Sequence, residues 1–221
     1  MVKKGGTSVI ERKIEKFVIS GGNEQQKEIL ERLGIKCKIF ECDALPDISD
    51  KELENEMKIQ EIAHFRGRTA AKELINRSNY DFVIISVETA AIFNNKILKI
   101  PKTKKQIKSM LKNLSGKTHK VVSGLCVWWG NKGVTIMDET FVTLRRISED
   151  EINQYAEAGD YSYPGGYNPK GAGGRFIEKI EGSWFNLMGM PVNKIYEALE
   201  EEYLFKIFEH ISCGLWETGN D

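Results

Sequence analysis

Two positions in the sequence carry groups suited to binding a ligand or to chemistry. Glu88 directly follows residues 81–87 (DFVIISV), an apolar and β-branched run that predicts a central strand buried on both faces. A carboxylate at the end of such a strand lies where the ligand clefts of α/β proteins open. Gly21 and Gly22 separate an apolar run from a predicted helix, so their loop would offer backbone N–H groups and a helix N-terminus to an anion.

Two further segments are candidates for contacts to the same ligand. Residues 159–174 (GDYSYPGGYNPKGAGG) have no apolar periodicity and predict a long loop, and long loops in compact domains are often functional. Residues 99–108 (KIPKTKKQIK) form the one local basic run of the chain. Its ordinary interpretation is a solvated helix face, and the alternative is a surface that surrounds a phosphate.

The elements that must position these groups alternate between strands and helices. Residues 16–20 predict a strand, and residues 23–33 predict a helix with Asn23 as N-cap, Gln26 at the capping-box position and Gly34 beyond its end. Further strands are predicted at 35–42, 81–87, 119–129 and 133–147, a hairpin at 91–98, and helices at 52–76, 103–114, 148–159 and 192–210. This order predicts an α/β fold.

Composition limits the classes of partner. The 221 residues include 32 Lys plus Arg and 32 Asp plus Glu, so no net field favours a nucleic acid or an acidic membrane. No stretch approaches the roughly 20 apolar residues of a membrane helix. The four cysteines show neither CxxC pairing nor histidines at zinc-ligand spacing, which indicates reduced thiols. We therefore predict a cytoplasmic protein without nucleic-acid or membrane partners.

From Ser20 to Leu199 the sequence resembles the Maf family, also called septum-formation proteins. The segments that carry the resemblance are GIKCKIF, DFVIISVET, ILKIP, MLKNLSGKTHKVVSG, ETFVTLRRIS, EINQYAEAGD and GGYNPKGAGGRFIEKIEGSWFNLMGMPV. The LSGKTH and FIEKIEGSWFN segments are specific in combination, and together the segments cover more than half of the chain in the family's order.

The resemblance implies a mixed twisted sheet flanked by helices, of the Maf and ITPase kind, with two lobes around a central cleft. It also implies a homodimer that cleaves a nucleoside triphosphate, or a modified nucleotide, to the monophosphate and pyrophosphate with Mg²⁺ or Mn²⁺. The base stays open among dTTP, UTP and nucleotides such as 7-methyl-GTP. The Maf-like domain is placed at residues 15–202, between a polar leader at 1–14 and a C-terminal extension at 203–221.

The same resemblance assigns roles to individual residues. Glu88 stands in place of the family's catalytic aspartate, as general base on water or as metal ligand. Asp43 is the second expected metal ligand, with Asp47 as the alternative stand-in for the family's metal-binding carboxylate. Arg66 falls at a lysine of the family's helix motif, and Arg66 and Lys99 are expected to offset developing negative charge. The expected substrate contacts are Gly21, Asn23, Gln26, Thr89 and Lys170.

Several of these positions depart from the family's pattern. Where the family has Ser-x-Ser-Pro-Arg-Arg, residues 21–26 read GGNEQQ, so two guanidinium groups that would bind phosphate strongly are absent. Glu88 is one methylene longer than aspartate, which moves its oxygens by roughly an ångström, a displacement that can cost about 100-fold in rate. The sequence therefore predicts either an enzyme of reduced or altered activity or a catalytically inactive nucleotide-binding or dimeric scaffold protein.

Each candidate residue also has an ordinary structural interpretation. Glu88 could pair with a lysine at the end of a strand, Arg66 could be a solvated helix residue, and Lys99 and Lys170 could be surface lysines. Three other residues are expected to be structural or core side chains: His119, Trp184 and Phe185. Both functional hypotheses require Glu88 and the glycine-rich segment near Lys170 to face each other across one gap.

Overall fold

The computed structural model describes residues 16–47, 53–77, 82–129, 132–159 and 163–203. The predicted leader, and the predicted extension except for Tyr203, lie outside these ranges. Seven strands form one sheet: β1 (Lys16–Ser20), β2 (Cys37–Phe40), β3 (Phe82–Phe93), β4 (Lys96–Leu98), β5 (Thr118–Trp129), β6 (Lys132–Leu144) and β7 (Ile177–Glu181). The helices are α1 (Glu24–Arg32), α2 (Asn55–Arg77), α3 (Lys104–Leu114), α4 (Glu149–Ala158), α5 (Trp184–Leu187) and α6 (Val192–Tyr203). Within the described ranges, no helix has the length and apolar character that crossing a membrane requires.

Strand pairing along one edge of β3 is interrupted. The sheet runs β2-β1-β3-β5-β6-β7, with β4 also paired to β3, and it mixes parallel and antiparallel pairs as predicted. β1 accompanies β3 as far as Ser86, and β4 joins the same edge only from Ala91 onwards. Among the described residues, positions 87–90 of β3 therefore have a neighbouring strand on one side only. This interruption leaves an opening inside the sheet, between the end of β1 and the start of the pairing with β4.

Helices cover both faces of the sheet and divide one of them into two lobes. On the first face, α2 packs Ala70 against Ile84 of β3. The other face carries two separate hydrophobic clusters. One joins α1 and α6 to the part of β3 that ends at Val87, and the other joins α3 and α4 to the part that starts at Ala91. The boundary falls at Thr89, so the predicted two-lobed arrangement is confirmed.

Capping residues fix helix ends at the predicted places. At the start of α1, the side chain of Asn23 caps the backbone of Gln26, and the side chain of Gln26 caps Asn23 in return. Ser148 and Glu151 form the same reciprocal box at α4, which ends at Gly159 with a φ of 71°. That left-handed value favours glycine, so the local sequence sets both ends of α4.

β3 is longer than the sequence prediction. The predicted strand ended at Val87, whereas β3 continues to Phe93 because β5 pairs with it through this whole region. Glu88 therefore lies inside a strand rather than at the end of one. The hairpin predicted at 91–98 is confirmed, and its two turn residues, Asn94 and Asn95, have φ values of 51° and 57°.

The residues of α5 that face the core differ from those that the sequence predicted. Trp184 and Phe185 were expected in the core, but they are 46% and 42% exposed. Because α5 is a single turn, only one side of it can face the sheet, and that side carries the buried residues Asn186 and Leu187.

Candidate active site

A cavity of about 540 Å³ opens at the interrupted edge of β3, between the two lobes. Its lining combines the loop before α1, α2, β3, β5, residues 163–169 and the turn between α5 and α6. The lining residues are Gly21, Asn23, Glu24, Gln25, Gln26, Arg66, Val87, Glu88, Thr89, Ala91, Ile100, His119, Val121, Tyr163, Pro164, Tyr167, Pro169, Leu187, Met188 and Gly189. Glu88 and the glycine-rich segment thus face the same cavity.

Arg66 and Glu88 form an ion pair in this cavity, which we call the charged pair. Nη1 of Arg66 lies 2.5 Å from Oε2 of Glu88, and the two side chains are 15% and 30% exposed. A hydrogen bond between ionised groups is stronger than a neutral one, particularly where solvent is partly excluded. The partner of Glu88 is therefore an arginine rather than a lysine, and Arg66 is not a solvated helix residue.

Two glycines bring α2 close enough to the sheet to make this contact. Gly124 of β5 pairs with Glu88, and a Cβ at Gly124 would lie 2.6 Å from the Cα of Gln60 in α2. Real Cβ atoms do not approach a backbone atom so closely, so only glycine permits this packing. Gly67 of α2 also allows a close approach, because a Cβ there would lie 3.1 Å from Sγ of Cys126 on β5. Its neighbour Arg66 is therefore held over β3.

Gly21 closes the loop that precedes α1. Its φ of 66° lies in the left-handed region, and its N–H donates to the carbonyl oxygen of Phe40 at 2.9 Å. A Cβ here would lie 2.9 Å from both the carbonyl oxygen of Cys42 and the Cδ of Arg66. Any side chain at this position would therefore strain the backbone and displace Arg66.

Asn23 and Gln26 line the cavity, but the side-chain oxygen of Asn23 and both amide atoms of Gln26 already have partners. Oδ1 of Asn23 accepts from the backbone N–H of Gln26 at 3.0 Å, and Oε1 of Gln26 accepts from the N–H of Asn23 at 3.1 Å. Nε2 of Gln26 donates to the carbonyl oxygen of Gly189 at 2.8 Å. The bond to Gly189 holds α1 against the turn that leads to α6. Substrate binding by the side chains of Asn23 and Gln26 stays a prediction.

Gln25, which was not selected from the sequence, joins three elements at the cavity. Its Nε2 donates to the carbonyl oxygen of Met188 at 3.2 Å, and its Oε1 accepts from the hydroxyl of Tyr163 at 2.8 Å. We call these two bonds the amide junction. The available signal was that Gln25 occupies an arginine position of the family's loop. Its partners lie 163 and 138 residues away, so the local sequence could not indicate them.

Thr89 lies on the opposite face of β3 from Glu88, since successive strand residues alternate. Its hydroxyl is 2.7 Å from the hydroxyl of the buried residue Ser123 on β5. Gly189 of the α5–α6 turn lies above it, where a Cβ would be 3.7 Å from the Thr89 hydroxyl. Because Glu88 and Thr89 both line the cavity, the cavity contacts both faces of β3 at the interrupted edge.

His119 anchors the glycine-rich segment from the sheet. Its Nε2 lies 2.9 Å from the hydroxyl of Tyr167, and the two buried rings meet edge to face at 5.6 Å. Burial lowers the pKa of His119 to about 4, so the imidazole is neutral near neutral pH. Its Nδ1 has no hydrogen-bond partner within the part of the chain that the structure describes. This environment agrees with the structural role predicted for His119.

Three residues selected from the sequence do not line the cavity. Ile100 and Pro169 are in the lining, whereas their neighbours Lys99 and Lys170 are exposed and outside it. Long ammonium side chains keep their hydration by extending into solvent. Asp43 is also exposed, and the described residues contain no group of three or more His, Cys, Asp or Glu that could hold a metal ion. The structure therefore does not support a place for these three residues in the site.

The mixed sheet, its interrupted edge and the cavity at that edge define an α/β protein with a cleft between two lobes. The chain belongs to the Maf-like protein family, whose model matches residues 16–202. The family resemblance found in the sequence is thereby confirmed.

Curated relatives match almost over their full length. A dTTP/UTP pyrophosphatase of Clostridium perfringens (strain SM101) is 32% identical over 188 residues, which cover 84% of this chain and 96% of that protein. A dTTP/UTP pyrophosphatase of Thermoanaerobacter sp. (strain X514) is 28% identical over 191 residues, covering 85% and 97%. The crystal structure of a dITP/XTP pyrophosphatase from Mycobacterium abscessus matches with 13% sequence identity and a TM-score of 0.33, over 60% of this chain and 74% of that one.

Proposed function

We propose that this protein is a nucleoside triphosphate pyrophosphatase, which hydrolyses a nucleoside triphosphate to the monophosphate and pyrophosphate. Membership of the Maf-like family and relatives named dTTP/UTP pyrophosphatase support this activity. The observation that carries the proposal is the charged pair inside the cavity, with Nη1 of Arg66 2.5 Å from Oε2 of Glu88. It places a proton acceptor next to a fixed positive charge.

In the proposed reaction, water attacks the α-phosphorus, at the linkage between the α- and β-phosphates. A new P–O bond forms, the linkage breaks, and the bridging oxygen leaves with pyrophosphate and the bonding electrons. Glu88 takes the proton of the attacking water, and the guanidinium of Arg66 stabilises the negative charge that develops on the phosphate oxygens. Both side chains lie on secondary-structure elements that the glycine contacts hold in place.

A divalent cation is part of this proposal. Mg²⁺ in nucleotide sites is held by one or two carboxylates together with phosphate oxygens, rather than by a cage of protein ligands. The acidic residues Glu24 and Glu88 are both in the cavity lining, and a lining with few carboxylates fits a cation that arrives with its triphosphate. As the alternative to its role as base, Glu88 would hold the ion, whose chemistry would be to neutralise phosphate charge. The homodimer and the cytoplasmic location remain predictions from the family resemblance and the composition.

One observation favours a second candidate, a protein that binds nucleotides without turning them over. Arg66 and Glu88 neutralise each other, and the amides of Gln25 and Gln26, which replace two arginines of the family, are already bonded to the protein. A triphosphate would then meet little uncompensated positive charge from these four residues, which weakens the stabilisation of developing charge.

Pyrophosphate release separates the two candidates. Purified protein is incubated with dTTP, UTP, the other standard triphosphates and modified ones such as 7-methyl-GTP, in Mg²⁺ or Mn²⁺, and thermal unfolding is followed in parallel. We expect pyrophosphate release from dTTP or UTP, because the curated relatives carry that activity in their names. Nucleotide-dependent stabilisation without turnover would favour the binding protein. Neither turnover nor stabilisation with any nucleotide contradicts both candidates.

A further inference from the structure

The glycine-rich segment has two parts that are held differently. Residues 163–166, which we call the arch, lie beside the cavity, and Gly165 and Gly166 both have φ values of 82°. The anchored part begins at Tyr167, which contacts His119, and continues with Asn168, whose N–H donates to the hydroxyl of Tyr155 at 2.8 Å. The arch is therefore joined to a fixed base through two glycines in a conformation that other residues rarely adopt.

The other end of the arch reaches the amide junction. The hydroxyl of Tyr163 donates to Oε1 of Gln25 at 2.8 Å, while Nε2 of the same amide donates to the carbonyl oxygen of Met188 at 3.2 Å. Tyr163, Gln25 and Met188 all line the cavity. One side chain on α1 therefore connects the arch with the α5–α6 turn at the wall of the site.

A primary amide is suited to this arrangement because it donates and accepts at the same time. A guanidinium at this position could donate to the carbonyl oxygen of Met188, but it has no acceptor for the hydroxyl of Tyr163. The replacement of arginine by Gln25 therefore exchanges a positive charge for a neutral group that can bind both neighbours.

We propose that Gln25 is a positioning residue, which holds the arch and the α5–α6 turn against α1 and thereby sets the shape of the cavity. Its effect on catalysis rests on the proposed pyrophosphatase function, whereas its effect on the arch does not. For the reaction, an arch that has lost its bond to Gln25 weakens substrate binding before and during the chemical step, so KM rises more than kcat falls.

Hydrogen–deuterium exchange of the whole chain without nucleotide tests the proposal directly. Gln25→Ala and Tyr163→Phe each remove the bond to the arch, and we expect about three- to tenfold faster exchange in peptides that cover residues 163–166, the range that one net hydrogen bond supports. The double variant should exchange no faster than the faster single variant, because both changes break the same contact. Gln154→Ala, at an exposed glutamine of α4 outside the cavity, is the matched control and should not change the arch.

Gln25→Glu separates the two bonds of the junction. The carboxylate still accepts from Tyr163 but cannot donate to Met188, so exchange should rise around the α5–α6 turn and stay near the parent value in the arch. Unchanged exchange in Gln25→Ala and Tyr163→Phe, or additive effects in the double variant, overturns the proposal. If the parent protein shows no turnover, the proposed function fails while the exchange data still decide the role of Gln25.

Discussion

The charged pair and the amide junction lie in the same cavity but are held in place by different means. Arg66 and Glu88 belong to α2 and β3, which approach so closely that a Cβ at Gly124 would touch the helix backbone at 2.6 Å. Gln25 holds its neighbours through two neutral hydrogen bonds between distant parts of the chain. Backbone contact leaves little freedom at the first site, whereas single side chains determine the second.

This difference explains how the chain departs from its family's pattern without losing the fold. The two glutamines in place of arginines lie where side-chain bonds can be remade, and their amides bond the carbonyl oxygens of Met188 and Gly189. The charged pair keeps one carboxylate and one cation, although Glu88 is longer than the family's aspartate and Arg66 replaces a lysine. The ion pair thus remains at α2 and β3, whereas the positive charge lost at Gln25 and Gln26 is replaced by amide hydrogen bonds.

The largest expected effect is at the charged pair. Glu88→Gln keeps the size of the side chain and its acceptor for Arg66 but removes the proton acceptor, so kcat/KM for pyrophosphate release should fall by about 10²- to 10⁴-fold. Steady-state kinetics with dTTP or UTP measures this change. Glu178→Gln, an exposed position on β7 outside the lining, is the control and should retain parent activity. A Glu88→Gln enzyme as active as the parent excludes Glu88 as the base.

The next effect tests whether backbone contact holds the charged pair. Gly124→Ala places a methyl group 2.6 Å from the Cα of Gln60, which forces α2 away from the sheet and should lower the free energy of unfolding by about 3 kcal/mol. Denaturant titration measures the loss. Gly67→Ala is the graded comparison, because its nearest contact is a cysteine side chain at 3.1 Å and its helix gains propensity, so it should change stability by less than about 1 kcal/mol. Equal losses in the two variants would contradict the proposed role of Gly124.

The smallest effect concerns the anchor of the glycine-rich segment. Burial lowers the pKa of His119 from 6.5 to about 4, so below pH 6.5 the unfolded chain takes up a proton that the folded protein does not. Stability is therefore lost as pH falls, by roughly 1.2 kcal/mol at pH 5.5 relative to neutral pH. His119→Gln removes this titration, and the difference between the parent and variant unfolding curves isolates it. Parallel pH profiles for the two proteins would show that His119 titrates normally in the fold.

Most elements of the fold follow from local sequence rules. Asn23 with Gln26 and Ser148 with Glu151 are capping boxes that can be recognised within four residues, and the structure contains both. The predicted end of β3 was wrong, because the length of this strand depends on its pairing with β5, which local sequence does not specify. Trp184 and Phe185 were misplaced for a related reason, since the direction of a one-turn helix is set by what it packs against.

The site was less predictable than the fold. The family pattern led to Arg66, Glu88 and Thr89, which the fold brings to one cavity. It placed Ile100 at the family's lysine position, and Ile100 lines the cavity, whereas Lys99, which was chosen as the nearby cation, is exposed. Next to Lys170 it is Pro169 that lines the cavity, because local sequence does not show which of two loop neighbours lies toward it. The function of Gln25 depends on partners more than 130 residues away, as the bond to Tyr163 across 138 residues illustrates.

The alternation of Glu88 and Thr89 on the two faces of β3 links folding to chemistry. If β5 slipped by one position along β3, every side chain of β5 would move to the opposite face of the sheet. Ser123 or Leu125 would then lie beneath Gln60, where the 2.6 Å approach leaves no room for a side chain. The close approach of Gly124 to α2, which excludes the slipped register, therefore also brings Glu88 next to Arg66. A chain that folds in the wrong register would therefore lose the contact between Arg66 and Glu88 in the same event.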